Sequence, residues 1–443
     1  MQIMNSIHSS RRLKHNLGRN KIDSVLFNIA YVSVFFMYFQ ITPLSAETQP
    51  IVVLAFVPVS LVYLIWYGRL TINKSEKWLF AFWNVLLLYA LLSLTVYKQD
   101  PLIVLNYSLR LLALPLAYML FLKNISLLQP ISVKIPIYVL MIVSLIELFR
   151  IPLFYDLLSV MYLVFFNRVS FGQGTRGLCI LTTEPSYFVY FAILLVYSMD
   201  YLLLNNKMSE RENSIYKIVI FFMGFLTKSA LVYFFILLYS IEWIIRLMGQ
   251  QKYRSILLCL VLLLLPVGVI VLSNVSIKTP TNRFTEVLYN FSISFKTNGL
   301  LNTILFADAS GGFRIIINLL YYLSIFVFPL GCGFGGMADK WGYVANCFNI
   351  DVQKNGHFVY GLSDSMNTLL DAQAYIPNIV GTVGCFVVVY LLFLFTGNVQ
   401  KNRWLKNSIL VCLFFYFFVL QSNFFNPVFW ILIGIIKSED SIH

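Results

Sequence analysis

The sequence predicts an all-α polytopic membrane protein with about twelve transmembrane helices. Its 443 residues are 59% hydrophobic and only 12% charged, far from the composition of soluble proteins. Apolar runs of about 17 to 22 residues recur along the chain, and each is long enough to cross a hydrocarbon core about 30 Å thick. Basic residues gather in alternate connecting loops, as expected when cytoplasmic loops retain positive charge.

The predicted spans fall into three groups, which are separated by two longer polar segments. Some of them are shorter than a full crossing. In chain order, the predicted spans are 25–43, 50–67, 78–97, 102–122, 135–149, 185–204, 218–226, 230–247, 255–272, 376–396, 408–421 and 425–436.

The segment 218–247 decides the orientation of everything that follows it. It exceeds one bilayer crossing, and its only polar interruption is Thr227-Lys228-Ser229. We interpret it as a short and a normal helix joined by a tight turn. A single span here would place two later basic loops outside, against the positive-inside rule. The resulting topology has both termini in the cytoplasm, with a basic tail at 1–24 and a short tail at 437–443.

Two outer segments remain, a loop at 150–184 and a large loop at 273–375. In the first, the apolar stretch 154–166 is predicted to lie at the membrane surface. In the second, the apolar stretch 315–330 is predicted to form an interfacial or re-entrant helix, and GCGFGG follows it. These glycines resemble a phosphate-cradling loop, but they lack the GxxxxGK[ST] pattern and a strand-helix context. We therefore favour a tight turn.

Several features argue against other classes of site. The net charge of +13 comes mostly from the predicted inner loops, so no nucleic-acid partner is expected. No CxxC, Cys/His or DxD pattern occurs, so no cofactor or metal is predicted. Cys332 and Cys347 share the large loop and are candidates for a disulfide bond in an oxidising compartment.

Four ionisable residues within or beside the spans need an interpretation of their own. Arg110 lies inside a predicted span. It is expected either to belong to a functional site, or to pair with Glu147 or with a lipid phosphate. Asp200 and Glu242 lie near inner helix ends, and we expect them to be solvated.

Short motifs in a fixed order carry a resemblance to a known family. Arg176-Gly177, a short apolar stretch and then Glu184-Pro185-Ser186-Tyr187 at the start of a span resemble the R-G...E-P-S signature of O-antigen polymerases and their ligase relatives. The Thr227-Lys228-Ser229 helix pair is similar to that family's T-x-S-[RK] pair. Arg314 precedes an apolar stretch and PLGCGFGG, and 365–384 ends in G-x-x-G before the next span. The resemblance covers roughly residues 165–400.

The resemblance implies a multi-pass glycosyltransferase of the bacterial inner membrane with its active site facing the periplasm. The expected donor is an undecaprenyl-diphosphate-linked oligosaccharide, and the expected partners are membrane lipid, a chain-length regulator and a flippase. Ligases of this superfamily often carry a histidine where Ser363, Asp364 and Ser365 stand, so the polymerase is favoured over the ligase. A flippase or transporter would be expected to have internal repeats and short outer loops. A structural scaffold is the remaining alternative.

The chemistry of such transfer dictates which side chains matter. Displacing a diphosphate requires cations that hold its oxygens, and arginine binds phosphate with a planar, permanently charged fork. A carboxylate or histidine must orient or deprotonate the acceptor hydroxyl. Catalytic roles are therefore expected for Arg176, Glu184 and Arg314, with Glu184 acting as base or as structural partner of Arg176. Substrate contacts are expected from further polar residues of the two outer loops and of the turn in the helix pair: Lys228, Arg168, Arg283, His357 and Asp364. Direct displacement predicts inversion at the anomeric carbon.

Overall fold

A computed structural model of the chain describes residues 24–25, 27–39, 74–105, 125–166, 177–248, 309–350, 374–396, 402–420 and 426–438. Within these ranges every regular element is helical, which confirms the all-α class for the described part of the chain. The predicted spans 50–67 and 255–272 and most of 102–122 lie outside the described residues.

The helices are numbered here in chain order. The first seven are α1 (Phe27–Phe36), α2 (Lys74–Thr95), α3 (Pro130–Phe149), α4 (Phe154–Phe165), α5 (Phe188–Leu204), α6 (Glu210–Leu226) and α7 (Ala230–Met248). The others are α8 (Ala309–Val327), α9 (Trp341–Cys347), α10 (Tyr375–Val383), α11 (Val387–Phe395), α12 (Arg403–Leu413, which continues as a π-helix over Phe414–Leu420) and α13 (Pro427–Lys437).

Five helical segments are long and apolar enough to cross a membrane, and each coincides with a predicted span. They are Lys77–Thr95, Pro130–Phe149, Pro185–Leu204, Ile376–Phe395 and Arg403–Leu420. The apolar helices α1, α4 and α13 are shorter, as is the apolar part of α8, Ile315–Val327. Many large apolar side chains on the outer surfaces are exposed, including Leu91 and Ile218 at 62% and 67%. Long apolar helices with exposed apolar faces are typical of a protein that sits in a membrane.

The helix pair at 218–247 is present, but its first helix is longer than predicted. α6 begins at Glu210 rather than near 218, because Ser209 caps it. The Ser209 hydroxyl accepts a hydrogen bond from the Glu212 amide at 3.2 Å. Ser-x-x-Glu is a capping box, so the sequence carried a helix-start signal at Ser209, before the apolar run that begins at 218.

α5 is the centre of the bundle, because its residues from Phe188 to Leu202 are all buried. It packs against α3, α6, α7, α12 and α13. A helix that is apolar around its whole circumference is expected to be enclosed on all sides.

The prediction that Asp200 and Glu242 are solvated is wrong. Asp200, near the end of α5, is 2% exposed and pairs with Lys217 of α6. The Tyr239 hydroxyl donates to the other Asp200 oxygen at 2.8 Å, and the Asn213 amide donates at 3.3 Å. Glu242 is half-buried and accepts from Tyr197 at 3.3 Å. Helix packing around α5 encloses these groups, which position along the chain alone does not reveal.

The span at 376–395 is broken in the middle. α10 ends at Val383, and the next residue, Gly384, has a φ of +58° in the left-handed region and begins a short 3-10 turn that leads into α11. A Cβ at Gly384 would lie 2.2 Å from the Pro329 oxygen, so the break also lets the segment before the Gly-rich turn approach closely. Lys437 was assigned to the C-terminal tail, but it is buried and donates to the Phe393 and Thr396 carbonyls at the end of α11.

Replacing Asp200 with alanine should destabilise the bundle strongly, because it leaves the largely enclosed ammonium of Lys217 without its counter-ion. Breaking a buried pair by removing one partner costs about 3–5 kcal/mol. The double variant Asp200→Ala/Lys217→Met removes both charges and should recover much of the loss. Thermal unfolding midpoints of the purified protein in detergent test this, and a double variant no more stable than the single one would contradict it.

Candidate functional site

The segment 177–184, which leads into α5, forms a buried irregular loop that we call the motif loop. Its residues Cys179 to Thr183 are all buried. Ile180 and Leu181 have φ values of +49° and +60°, in the left-handed region. For a β-branched residue such as Ile180 this conformation is strained, at a cost on the order of 1–3 kcal/mol. Surrounding contacts must therefore stabilise the loop.

Glu147, near the end of α3, supplies most of those contacts. Its carboxylate is buried and accepts hydrogen bonds from the Cys179 amide at 2.8 Å and the Ile180 amide at 2.9 Å. The Tyr162 hydroxyl of α4 donates to the same carboxylate at 2.8 Å and accepts from the Leu181 amide at 2.6 Å. Three consecutive loop amides are thus bound by one carboxylate and one phenol. Arg110, the partner considered from sequence, lies outside the described residues.

Gly177 joins the motif loop to the turn between α6 and α7. The next residue, Leu178, donates its amide to the Leu226 carbonyl at 3.0 Å. A Cβ at Gly177 would lie 2.0 Å from the Thr227 oxygen, so no larger residue fits without a backbone shift. Lys228 is exposed in that turn with a φ of +50°. The glycine after Arg176 therefore packs directly against the turn that carries Lys228.

Glu184 lies where the sequence predicts, immediately before a helical turn that begins with Pro185. It has extended backbone, and its side chain does not cap the Pro185–Tyr187 turn. The Ser186 hydroxyl is 3.5 Å from a Glu184 carboxylate oxygen, and the Thr182 hydroxyl is 2.6 Å from the Glu184 carbonyl. The Pro185–Tyr187 turn contacts α7, which begins just after Lys228. Glu184 and Lys228 thus belong to one end of the bundle.

The helix that carries Arg314 is tied to the same end through the π-helix. Arg314 belongs to α8, one helical turn before Asn318. The Asn318 amide group donates to the carbonyls of Val419 and Leu420, at 2.8 and 3.3 Å. On the same π-helix, the Tyr416 hydroxyl donates to the carbonyl of Leu231, in the first turn of α7, at 2.6 Å. The Phe414–Leu420 segment, which the sequence did not single out, therefore links α8 to the start of α7.

The Gly-rich segment is a turn whose amides are already used, as the tight-turn interpretation predicts. The amides of Cys332 and Gly333 donate to the Gly381 and Thr382 carbonyls, at 2.9 and 3.1 Å. The Phe334 amide donates to the Ser93 hydroxyl at 2.9 Å, which ties the turn to the end of α2. Since these groups are occupied, they do not form a cradle for phosphate.

The candidate disulfide bond between Cys332 and Cys347 is not formed, because both are free cysteines. Cys332 is buried under the Gly-rich turn, whereas Cys347 is exposed at the end of α9. Burial raises the pKa of the Cys332 thiol to about 11, although Lys340 opposes that shift. The thiol therefore stays protonated at neutral pH. The two cysteines follow each other in one loop of the sequence but lie in different environments in the fold.

The remaining predicted site residues lie outside the described part of the chain. They are Arg168, Arg176, Arg283, His357 and Asp364. Among the residues that are described, no group of three His, Cys, Asp or Glu side chains is arranged to bind a metal ion. The described part of the candidate site therefore consists of one carboxylate and one cation. Glu184 lies in the motif loop, Lys228 lies in the α6–α7 turn, and the two segments pack against each other at Gly177.

Replacing Gly177 with alanine should destabilise the junction, because the new methyl group would overlap the Thr227 carbonyl. Overpacking of this kind costs about 1–3 kcal/mol. Gly342→Ala is the matched control, since a Cβ there meets nothing within 4 Å. Thermal unfolding midpoints of the two variants provide the test. An equal effect of the two substitutions would contradict the close packing of Gly177.

No protein-family model, no curated protein and no solved structure matches this chain.

Proposed function

We propose that this protein is a surface-polysaccharide polymerase similar to the O-antigen polymerases. It would join oligosaccharide repeat units linked to undecaprenyl diphosphate at the periplasmic face of the bacterial inner membrane. The observation that carries the proposal is the close packing of Gly177 against the Thr227-Lys228 turn. A Cβ atom at Gly177 would lie only 2.0 Å from the Thr227 oxygen. Two motifs that the resemblance places far apart in sequence are neighbours in the fold.

The proposed topology has twelve spans and both termini in the cytoplasm. With this orientation, the motif loop, the α6–α7 turn and the start of α8 belong to the outer side. The five long apolar helical segments, one of which contains the enclosed α5, support a multi-pass membrane protein, and the charge distribution supports the orientation. No nucleotide is available outside the membrane, so the energy for transfer comes from the diphosphate-linked donor itself.

In the proposed reaction, the bond between the anomeric carbon and the diphosphate oxygen breaks as the acceptor hydroxyl attacks that carbon. The hydroxyl proton passes to a base, and the diphosphate leaves with the bonding electron pair. Arg176 and Arg314 would bind the diphosphate, because arginine stabilises the charge that develops there. Lys228, Arg168 and Arg283 would add positive charge around it.

Glu184 is the proposed residue that orients or deprotonates the acceptor. Its backbone is fixed by Pro185, whose ring favours the first position of a helical turn. His357 and Asp364 are the alternative bases. The lack of a histidine at 363–365 supports polymerase rather than ligase activity within this proposal.

The length distribution of surface glycan tests the proposal. Cells that lack the gene are complemented with the wild type, with Arg176→Ala or with Arg211→Ala, at matched protein levels. Arg211 is the control, because it is an exposed basic residue in the first turn of α6, outside the proposed site. Wild type and Arg211→Ala should give long chains, whereas Arg176→Ala should leave single repeats on the surface lipid.

The other outcomes discriminate the alternatives. Loss of all glycan from the surface lipid in Arg176→Ala cells would identify a ligase. Unchanged chains would contradict the enzymatic role of Arg176 and favour a scaffold. Elongation of lipid-linked glycan by purified protein in liposomes without an ion gradient would exclude a transporter as the explanation.

A further inference from the structure

We infer that Glu147 and Tyr162 are positioning residues that hold the motif loop in its active shape. The inference rests on the proposed function, since it concerns the loop between Arg176 and Glu184. Glu147 comes from α3 and Tyr162 from α4, and neither helix carries a residue of the proposed site. Both side chains nevertheless bind the amides of the segment that separates two proposed catalytic residues.

The hydrogen bonds of Glu147 and Tyr162 with the motif loop require one particular loop conformation. Glu147 Oε2 accepts from the Cys179 amide, while Oε1 accepts from both the Ile180 amide and the Tyr162 hydroxyl. Tyr162 then accepts from the Leu181 amide. Three successive amides can converge on a carboxylate and a phenol only when the backbone turns sharply. The left-handed φ values of Ile180 and Leu181 provide that turn.

The two ends of the loop connect this anchor to the proposed site. On one side, Leu178 donates to the Leu226 carbonyl beside the Lys228 turn. On the other, the Thr182 hydroxyl lies 2.5 Å from the Cys179 carbonyl and 2.6 Å from that of Glu184. The backbone of Glu184 is thus linked to the amides that Glu147 holds. A change at Glu147 would be transmitted to both flanks of the site without contact with substrate.

Substitutions that keep the volume but change the hydrogen bonding isolate this role. In Glu147→Gln, one acceptor oxygen becomes an NH₂ group that opposes a backbone donor. In Tyr162→Phe, the hydroxyl that links Glu147 to the Leu181 amide is lost. Tyr31→Phe is the matched control, because Tyr31 is also fully buried, but its hydroxyl donates to Ser198 inside the bundle.

The experiment uses purified full-length protein in lipid nanodiscs and reads the loop and the reaction separately. Cys179 is buried in the motif loop at 1% exposure, so its alkylation by a maleimide, quantified by mass spectrometry, reports opening of the loop. Cys412, equally buried in α12, is the internal reference for global unfolding. Polymerisation of a lipid-linked repeat unit gives kcat and KM.

Glu147→Gln and Tyr162→Phe should label faster at Cys179 but not at Cys412. Their kcat should fall roughly tenfold to hundredfold with little change in KM, since misplacement of about 1 Å has an effect of this size. Tyr31→Phe should change neither readout. Unchanged Cys179 labelling, or faster labelling with unchanged kcat, would overturn the inference. An inactive wild type would instead overturn the proposed function, while Cys179 labelling would still decide whether Glu147 holds the loop.

Discussion

The enclosure of α5 is the constraint on which the rest of the described structure depends. Its side chains from Phe188 to Leu202 are buried, so no face of this helix is left for solvent or lipid. Polar groups at its ends must therefore find partners inside the protein, because unpaired buried polar groups are costly. At one end Asp200 binds Lys217 and Tyr239. At the other, the loop that enters the helix binds Glu147.

The candidate site lies at that second end, where the motif loop leads into α5. The motif loop leads into a buried helix and is itself buried, so its backbone amides need hydrogen-bond partners within the protein. Glu147 and Tyr162 bind three of them, and the strained turn at Ile180 and Leu181 is maintained by those bonds. The same turn brings Gly177 against the α6–α7 connection and leads into Glu184. The contacts that pack the core around the start of α5 therefore also set the geometry of the candidate site.

The sequence predicted the helical class and five of the long apolar helices, because hydropathy and helix length are local properties. It also predicted the turn at Thr227-Lys228-Ser229 and the Gly-rich turn after α8, where polar and glycine residues interrupt apolar runs. It missed the capping box at Ser209, although that signal was present. The expected solvation of Asp200 was wrong, and the candidate pair Cys332 and Cys347 is not bonded. Proximity to a helix end does not determine burial, and a shared loop does not determine contact.

By itself, the sequence determined which segments are apolar, where their polar interruptions lie, and the order of the motifs around Arg176, Glu184, Lys228 and Arg314. Only the tertiary structure decided that Glu147 binds the motif loop, that Gly177 meets Thr227, and that the π-helix at Phe414–Leu420 links α8 to α7. The physical reason is the range of each interaction. Helix formation and hydropathy depend on neighbours within a few residues, whereas a buried hydrogen bond depends on which distant segment the packing brings within 3 Å.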